Sequence, residues 1–399
     1  MTKLRLAVVG VGAYDSSRAR GYIDVISKLD DRYELCAICD RNRTPLDEVG
    51  DRHGIDARYT DFVEMLEAEK PDAVFVLVPT DGQTPHALTA IDHGCHILTE
   101  IPYALTLPMG DAIAQAAAAK GVQWEVAENV WRWHNEQLKQ AIIDSGIIGK
   151  TTHARLCYTH GSYHGFNGVR SVLGKRARRV LGYTQRIDVL PFTNYGGEPE
   201  TTRVWDSGTI EFEEDVVCLY EMPASPSPHE IHWDVEGTHG YLAHRELVVF
   251  PDGERVTYPI EEGYEKIVGD QILSEVRVET DPPIVWHNPF KQHRISSTDD
   301  IAKAEILTSL HRSVTEGADL VYGHAAGRQD MELWVAVHAS HERGSQWIDL
   351  PLREETAVER RIREEYVRRY GGDPVSDYQV LLGASFGRLS VMWTVAGWL

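Results

Sequence analysis

Cysteine is scarce in this chain. Five cysteines in 399 residues cannot staple a protein of this size, so a disulfide framework is excluded as its source of stability. Basic residues are also in deficit. Forty Lys and Arg face 61 Asp and Glu, a net charge of -21, which argues against nucleic acid or an anionic membrane as a partner. It leaves open a small acidic ligand, because one site can be locally basic. No apolar run approaches the length needed to cross a bilayer. No leader of secretory type precedes the first apolar stretch, Leu4–Val9, so a cytoplasmic location is expected. Internal repeats and low-complexity segments are missing as well.

The scarce cysteines offer no chemistry of their own. Cys36 and Cys39 have CxxC spacing but fall inside a predicted strand, where side chains three apart point to opposite faces. A redox or zinc role is therefore not expected there. His153, Cys157, His160 and His164 have no familiar ligand spacing, and no metal site is expected.

What is present suits a large two-domain protein. Hydrophobic residues make up 42% of the chain, enough to bury large cores, and the length predicts two domains with an extension. Short apolar strands alternate with helical periodicity through the first 150 positions. Strands are predicted at Leu4–Val9, Tyr33–Cys39, Ala73–Val78, His96–Thr99 and Val122–Val126, with helices at Arg18–Leu29, Thr60–Glu69, Pro85–Gly94 and Pro108–Lys120. That alternation predicts a parallel sheet covered on both faces. Asp61 is placed to cap the second of these helices, and Asn135–Ser145 reads as a further helix closed by Gly146.

Beyond Gly149 the pattern turns to strands: Thr151–Thr159, Thr209–Glu221, His229–Glu236, Tyr241–Phe250 and Arg255–Pro259. Turns such as Pro251-Asp252-Gly253 predict a large, mainly antiparallel sheet. Helices return at Ile301–Glu316 and Gly327–His341, then a short strand near Trp347–Leu350. Residues 353–399 hold a charged helix, Glu355–Tyr370, and an apolar end, Val391–Leu399, read as packing on the body or a partner subunit. The expected fold is thus an α/β Rossmann domain (1–149), an α+β domain with an open, mainly antiparallel sheet (150–352) and a C-terminal extension (353–399).

Gly10-Val11-Gly12 follows the first strand and opens a helix, the context of a dinucleotide fingerprint. The first glycine permits the tight turn, the second lets backbone approach pyrophosphate, and the helix start supplies N–H donors. Ala13 and Tyr14 complete the turn, while Asp15 stands where the fingerprint has a small residue. Asp40 closes the second strand, where a carboxylate takes ribose hydroxyls and repels a 2′-phosphate. NAD is the expected cofactor, with Arg41 beside Asp40 leaving room for NADP.

The stretch Cys95-His-Ile-Leu-Thr-Glu100-Ile101-Pro102 resembles the Glu-Lys-Pro segment of the Gfo/Idh/MocA family. Pro79-Thr80, His86, Gly94-Cys95-His96-Ile97-Leu98 and Glu100-x-Pro102 occur in that family's order. The likeness continues through Ile142–Gly149, Glu236–Gly240 and Trp347–Leu352, and so spans roughly residues 3–352. It implies that Pro79, Thr80, His86, Glu100, Ile101, Pro102 and Asn129 line the cofactor. It also implies that family members hold their proton-handling lysine at the position of Ile101, which cannot move a proton.

A second stretch, Tyr158-Thr-His160-Gly-Ser-Tyr-His164-Gly-Phe-Asn167-Gly-Val-Arg170, resembles the family's Asp-x-Gly-x-His-x-x-Asp motif. His164 then falls on the family's catalytic histidine, His160 replaces the first aspartate and Asn167 the second. Asn167 can hydrogen-bond an imidazole or a sugar hydroxyl but cannot stabilise an imidazolium as a carboxylate does.

Glu100-Ile101-Pro102, Glu128-Asn129 and Tyr158-Thr159-His160 are similar to elements of glycoside hydrolase family 109, a subset of the same family. Those enzymes retain NAD and run a redox-neutral cycle. The sugar is oxidised at carbon 3, deprotonated at carbon 2, loses its aglycone, adds water and is reduced again. The resemblance assigns proton movement to Tyr158, His160 and His164. Trp131, Arg132, Asn167 and Arg170 are the expected substrate contacts, since aromatic faces suit a sugar ring and arginine an anionic group. Lys175-Arg176-Ala177-Arg178-Arg179 reads as a solvated basic run.

The expected partner is therefore a sugar or glycoside, anionic ones such as sulfoquinovosides included, and the family likeness implies a homo-oligomer, a dimer or tetramer. A simple sugar or polyol dehydrogenase using His164 alone is the second reading. A ligand sensor that binds NAD without turnover, similar to the yeast galactose-regulon repressor, is the third.

Overall fold

The computed structural model describes residues 2–12, 17–157, 162–193, 199–222, 232–243 and 245–387. The chain divides into two compact units that are not consecutive in sequence. Among the described residues, one comprises 2–129, 290–328 and 359–387; the other comprises 130–289 and 329–358.

The first unit is built on a parallel sheet. Its strands are β1 (Leu4–Val9), β2 (Tyr33–Cys39), β3 (Arg58–Tyr59), β4 (Ala73–Val76), β5 (His96–Thr99) and β6 (Trp124–Val126), in the order β3-β2-β1-β4-β5-β6. β4 is buried along its whole length, as a central parallel strand covered on both faces must be. The connecting helices are α1 (Arg18–Lys28), α2 (Arg43–His53), α3 (Phe62–Glu69), α4 (Thr80–Asp92) and α5 (Leu107–Lys120). Order reverses between β1 and β4, which opens the crevice at their carboxyl ends where this fold takes a dinucleotide.

Helix starts follow the caps. Asp61 accepts from the Glu64 N–H at 2.9 Å, as predicted. Asn42 caps α2 through the Thr44 N–H at 3.2 Å, a helix not expected because only Pro45, Leu46, Val49 and Gly50 of it are buried.

Later segments return to this unit for identifiable reasons. Helix Thr298–Glu316 is fixed by the Tyr33 hydroxyl, which donates to the Leu307 carbonyl at 2.6 Å. The buried Glu125 carboxylate accepts from the Ser309 hydroxyl and from the Gly323 N–H at 2.5 Å. Beyond residue 352, the buried Glu359 accepts from the Leu107 N–H at 2.8 Å. The expected C-terminal extension thus supplies side chains to the core of the first unit through helix Ala357–Tyr370.

The second unit carries α6 (His134–Asp144), β7 (Thr151–Cys157), α7 (Ser162–Leu173), β8 (Ala177–Thr193), β9 (Pro199–Phe212), β10 (Val217–Met222), β11 (His232–Gly237), β12 (Gly240–Ala243), β13 (Glu246–Val249), β14 (Val256–Pro259), β15 (Glu261–Ile267), β16 (Asp270–Val278), β17 (Ile284–His287) and β18 (Ile348–Asp349). Nine strands form one sheet, β14-β13-β12-β11-β7-β10-β9-β8-β18, in which only β7 and β10 run parallel. The expected open, mainly antiparallel sheet is present. Strands β15–β17 form a separate three-stranded antiparallel sheet.

Two expected long strands are each two. Thr209–Glu221 is broken at Glu213–Asp215, where Glu214 and Asp215 take positive φ. Tyr241–Phe250 is the β12–β13 hairpin. The breaks are polar, Glu213-Glu214-Asp215 and His244-Arg245, but neither holds the Gly, Pro or Asn that marks a turn, so the pattern reads straight through them. Among the described residues no helix is long and apolar enough to cross a membrane. The apolar end, Val391–Leu399, lies outside the described residues.

Candidate functional site

In the first unit the crevice is shaped by its glycines. Gly10 has φ +90, and a Cβ there would sit 2.8 Å from the Leu77 carbonyl. Gly12 has φ +79, and a Cβ would collide with the Ser17 hydroxyl. Ser17 stands at the start of α1 without a capping bond, and its buried hydroxyl has no hydrogen-bond partner among the described residues. A stripped turn, an unspent hydroxyl and an uncapped helix start together fit the pyrophosphate of a dinucleotide. Ala13 and Tyr14 lie outside the described residues.

Asp40 is held by two backbone donors. One oxygen accepts from the Val11 N–H at 3.0 Å and the other from the Asn42 N–H at 2.8 Å. A carboxylate has about four acceptor positions, so ribose hydroxyls can still be bound in a fixed orientation. Arg41 points its guanidinium elsewhere, to the carbonyls of Ala384 and Gly383. Pro79 caps α4 and Thr80 begins it. His86 is buried inside that helix; its Nδ1 lies 2.7 Å from the Gly82 carbonyl and its ring 5.1 Å from Phe62. Burial pulls its pKa down to about 4, so it is neutral and packed.

Glu100 and Asn129 are drawn into one charged cluster that sequence reading missed. Arg18 Nε donates to Glu100 at 2.8 Å, and its Nη1 reaches both oxygens of Asp299 at 2.9 and 2.8 Å. Asn129 donates to the same carboxylate, and Lys303 Nζ lies 2.8 Å from it. Burial opposes ionisation of Asp299, but Arg18 and Lys303 outweigh it and hold the carboxyl below its ordinary range. No local pattern links positions 18, 100 and 299; only packing of α1 against helix Thr298–Glu316 does. Ile101 is half-buried beside this cluster in sequence, and the Pro102 carbonyl accepts from Gln83 at 3.3 Å.

In the second unit, α7 carries His164, Asn167 and Arg170, three residues apart and hence along one face. Asn167 is fully buried. Its carbonyl accepts from the Trp131 N–H at 3.0 Å, and its amide donates to Asp330 at 3.0 Å. Arg170 grips both oxygens of the same aspartate at 2.5 and 3.0 Å. Both side chains, expected to contact substrate, are thereby engaged in fixing α7 to the segment after Asn129. Asp330 was overlooked. Its one signal is a carboxylate on the stripe of helix Gly323–Glu342 that also buries Leu333, Trp334 and Val337.

Arg132 lies 3.9 Å over the ring of Trp131 and reaches Gln137 at 3.4 Å. His164 is half-buried. Tyr158 and His160 lie outside the described residues. The basic run is paired rather than open: Lys175 to Glu214 at 2.8 Å, Arg176 to Glu213 at 2.5 Å, Arg179 to Glu211 at 2.6 Å. Burial first of all raises the thiols of Cys36, to about 11, and Cys39, to about 12, which keeps both protonated and unreactive.

Residues 4–128 match the Gfo/Idh/MocA family, described as an oxidoreductase family with an NAD-binding Rossmann fold. D-glucoside 3-dehydrogenase of Escherichia coli is 32% identical over 103 residues, 26% of this chain and 28% of that protein. A glycosyl hydrolase family 109 protein of Akkermansia muciniphila is 26% identical over 235 residues, 56% of this chain and 47% of that protein. The chain thus spans less than half the length of these curated relatives. An oxidoreductase from Agrobacterium radiobacter, solved with NAD+, L-tartaric acid and magnesium, superposes with TM-score 0.65 at 18% identity, over 87% of this chain and 98% of that one.

Proposed function

With an NAD-binding domain of the Gfo/Idh/MocA oxidoreductase family at residues 4–128, we propose that the chain is a sugar-active enzyme that cleaves a glycoside by a redox-neutral route. NAD, when bound, supplies an acceptor and donor of hydride. Gly10, Gly12, Ser17 and Asp40 are the residues that would hold it.

The observation that carries this reading is Ile101. A simple alcohol oxidation of the family type uses a lysine there, and this chain has a side chain with no proton to exchange. Its neighbour Glu100 is tied to Arg18 and is a poor substitute. Proton transfer then falls to His164 of α7 and to Tyr158 and His160, which precede that helix in sequence. His164 takes the proton of the carbon 3 hydroxyl. Tyr158 or His160 removes the hydrogen of carbon 2, acidified by the neighbouring ketone, and the departing aglycone takes a proton from the same set. Asp330, through Asn167 and Arg170, positions α7 rather than touching sugar. Trp131 and Arg132 offer a stacked surface for the substrate.

The D-glucoside 3-dehydrogenase likeness favours a second reading, net oxidation at carbon 3 with His164 as the lone base. Incubation of the chain with NAD and a panel of nitrophenyl glycosides in deuterium oxide separates the two. Nitrophenol release without net NADH, with deuterium at carbon 2, is expected. Steady NADH formation from free sugars, without deuterium incorporation, would install the second reading instead.

A further inference from the structure

We propose that residues 370–387 wall the nucleotide end of the crevice and, by holding Arg41, restrict the site to a dinucleotide with a free ribose 2′-hydroxyl. This rests on the NAD reading above and deepens it by naming which nucleotide is taken.

The segment is anchored on α4 by a buried acid. Asp81, second residue of that helix, is 1% exposed. Its carboxylate accepts from the Gly387 N–H at 2.8 and 3.1 Å and from the Tyr370 hydroxyl. Between these anchors the Phe386 ring packs 5.8 Å from His86 and 5.3 Å from Tyr370. A Cβ on Gly82 would lie 2.7 Å from that ring, so the close approach requires glycine there. Gly387 has φ +97 and sits against Pro79. The segment therefore borders the loop after β4, one of the loops that line the crevice in this fold.

Arg41 follows Asp40 directly and is the side chain placed to meet a 2′-phosphate. Phosphate recognition by arginine uses the guanidinium fork, and here the fork donates to the Gly383 and Ala384 carbonyls. A 2′-phosphate would meet the Asp40 carboxylate while the Arg41 guanidinium is held on those carbonyls. Two elements thus act together: Asp40 repels the phosphate, and the C-terminal segment withholds the arginine that would compensate. Loosening the segment removes the second while leaving the first.

The test uses the full chain stripped of nucleotide, with dissociation constants for NAD and NADP measured by titration calorimetry. The native chain should prefer NAD. In Phe386→Ala/Gly387→Pro, which deletes the ring contact and the N–H donor, NADP should gain roughly tenfold relative to NAD, the worth of one charge-assisted contact. Adding Arg41→Gln to that variant should abolish the gain. An unchanged NAD-to-NADP ratio, or a gain that survives Arg41→Gln, overturns the proposal. If circular dichroism shows the double variant unfolded, Asp81→Asn, which weakens the same anchors with little change of shape, is held to the same outcomes. Equal binding of both nucleotides by the native chain would sink this proposal alone; binding of neither would sink the cofactor reading on which it rests.

Discussion

Each of the two units holds a charged cluster, and the two clusters are built differently. In the first unit, Arg18, Glu100, Asp299 and Lys303 share charge near solvent: the side chains of Arg18 and Asp299 are 34% and 39% exposed. In the second, Arg170 is 12% exposed and Asp330 fully buried. The first cluster has four charged members and water at its edge, so losing one is partly made good by the others and by solvent. In the second, one buried carboxylate accepts from both Asn167 and Arg170. The contrast is between a shared, part-exposed cluster and a buried carboxylate with two donors.

The largest test of that contrast is Asp330→Ala. It leaves a buried guanidinium and the Asn167 amide without their acceptor, which should cost about 3–5 kcal/mol, read as a lower urea midpoint. Turnover should fall with it, since α7 carries His164. A loss under about 1 kcal/mol would place this pair with the exposed ones.

The next effect comes from a buried group that avoids charge altogether. Burial holds His86 at a pKa of about 4, against an ordinary 6.5. The unfolded chain therefore binds a proton that the folded chain refuses between those values. Stability from this group is complete above pH 6.5 and is lost as pH falls toward about 4, on the order of 3 kcal/mol in all. His86→Gln should flatten that part of the stability profile relative to the native chain. Equal slopes for the two proteins would show that His86 is accessible in the folded state.

These residues also mark where sequence reading succeeds. β1, β2 and β5 were legible because each is a short, largely apolar segment bounded by a turn or helix signal. Asp61 was legible because capping is local. The Gly10–Gly12 turn and Asp40 were legible because strand, turn and helix follow one another within forty residues. Asp299 and Asp330 were not, because their partners lie 281 and 160 residues away and nothing local distinguishes them from surface acids. The hydrogen bonds of Arg41 were not legible for the same reason: its acceptors are carbonyls 342 and 343 positions later, and a carbonyl has no letter in the sequence.

Arg18→Gln probes the exposed cluster. At a third exposed, the pair energies are screened, and a loss of roughly 1 kcal/mol or less is expected, shrinking as salt is raised. The larger consequence should be in the crevice: Glu100 loses the Arg18 guanidinium while Asp299 keeps Lys303 and Asn129, so NAD affinity should weaken severalfold while the urea midpoint barely moves. A midpoint shift as large as that of Asp330→Ala would erase the difference between the clusters.

Ile101→Lys should do least. A lysine works as a proton carrier only if the site can tune it, through burial or a neighbouring charge. Here the nearby acids are already engaged, Glu100 by Arg18 and Asp299 by Arg18 and Lys303, so a new ammonium would find no unshared carboxylate. If cleavage depends on Tyr158, His160 and His164, the added base has no proton to move in the native reaction. Turnover of the preferred glycoside by Ile101→Lys should stay level or fall, measured as nitrophenol released per enzyme. A tenfold rise would mean that the reaction still runs through position 101, and that the cluster around Arg18 leaves room for another charge.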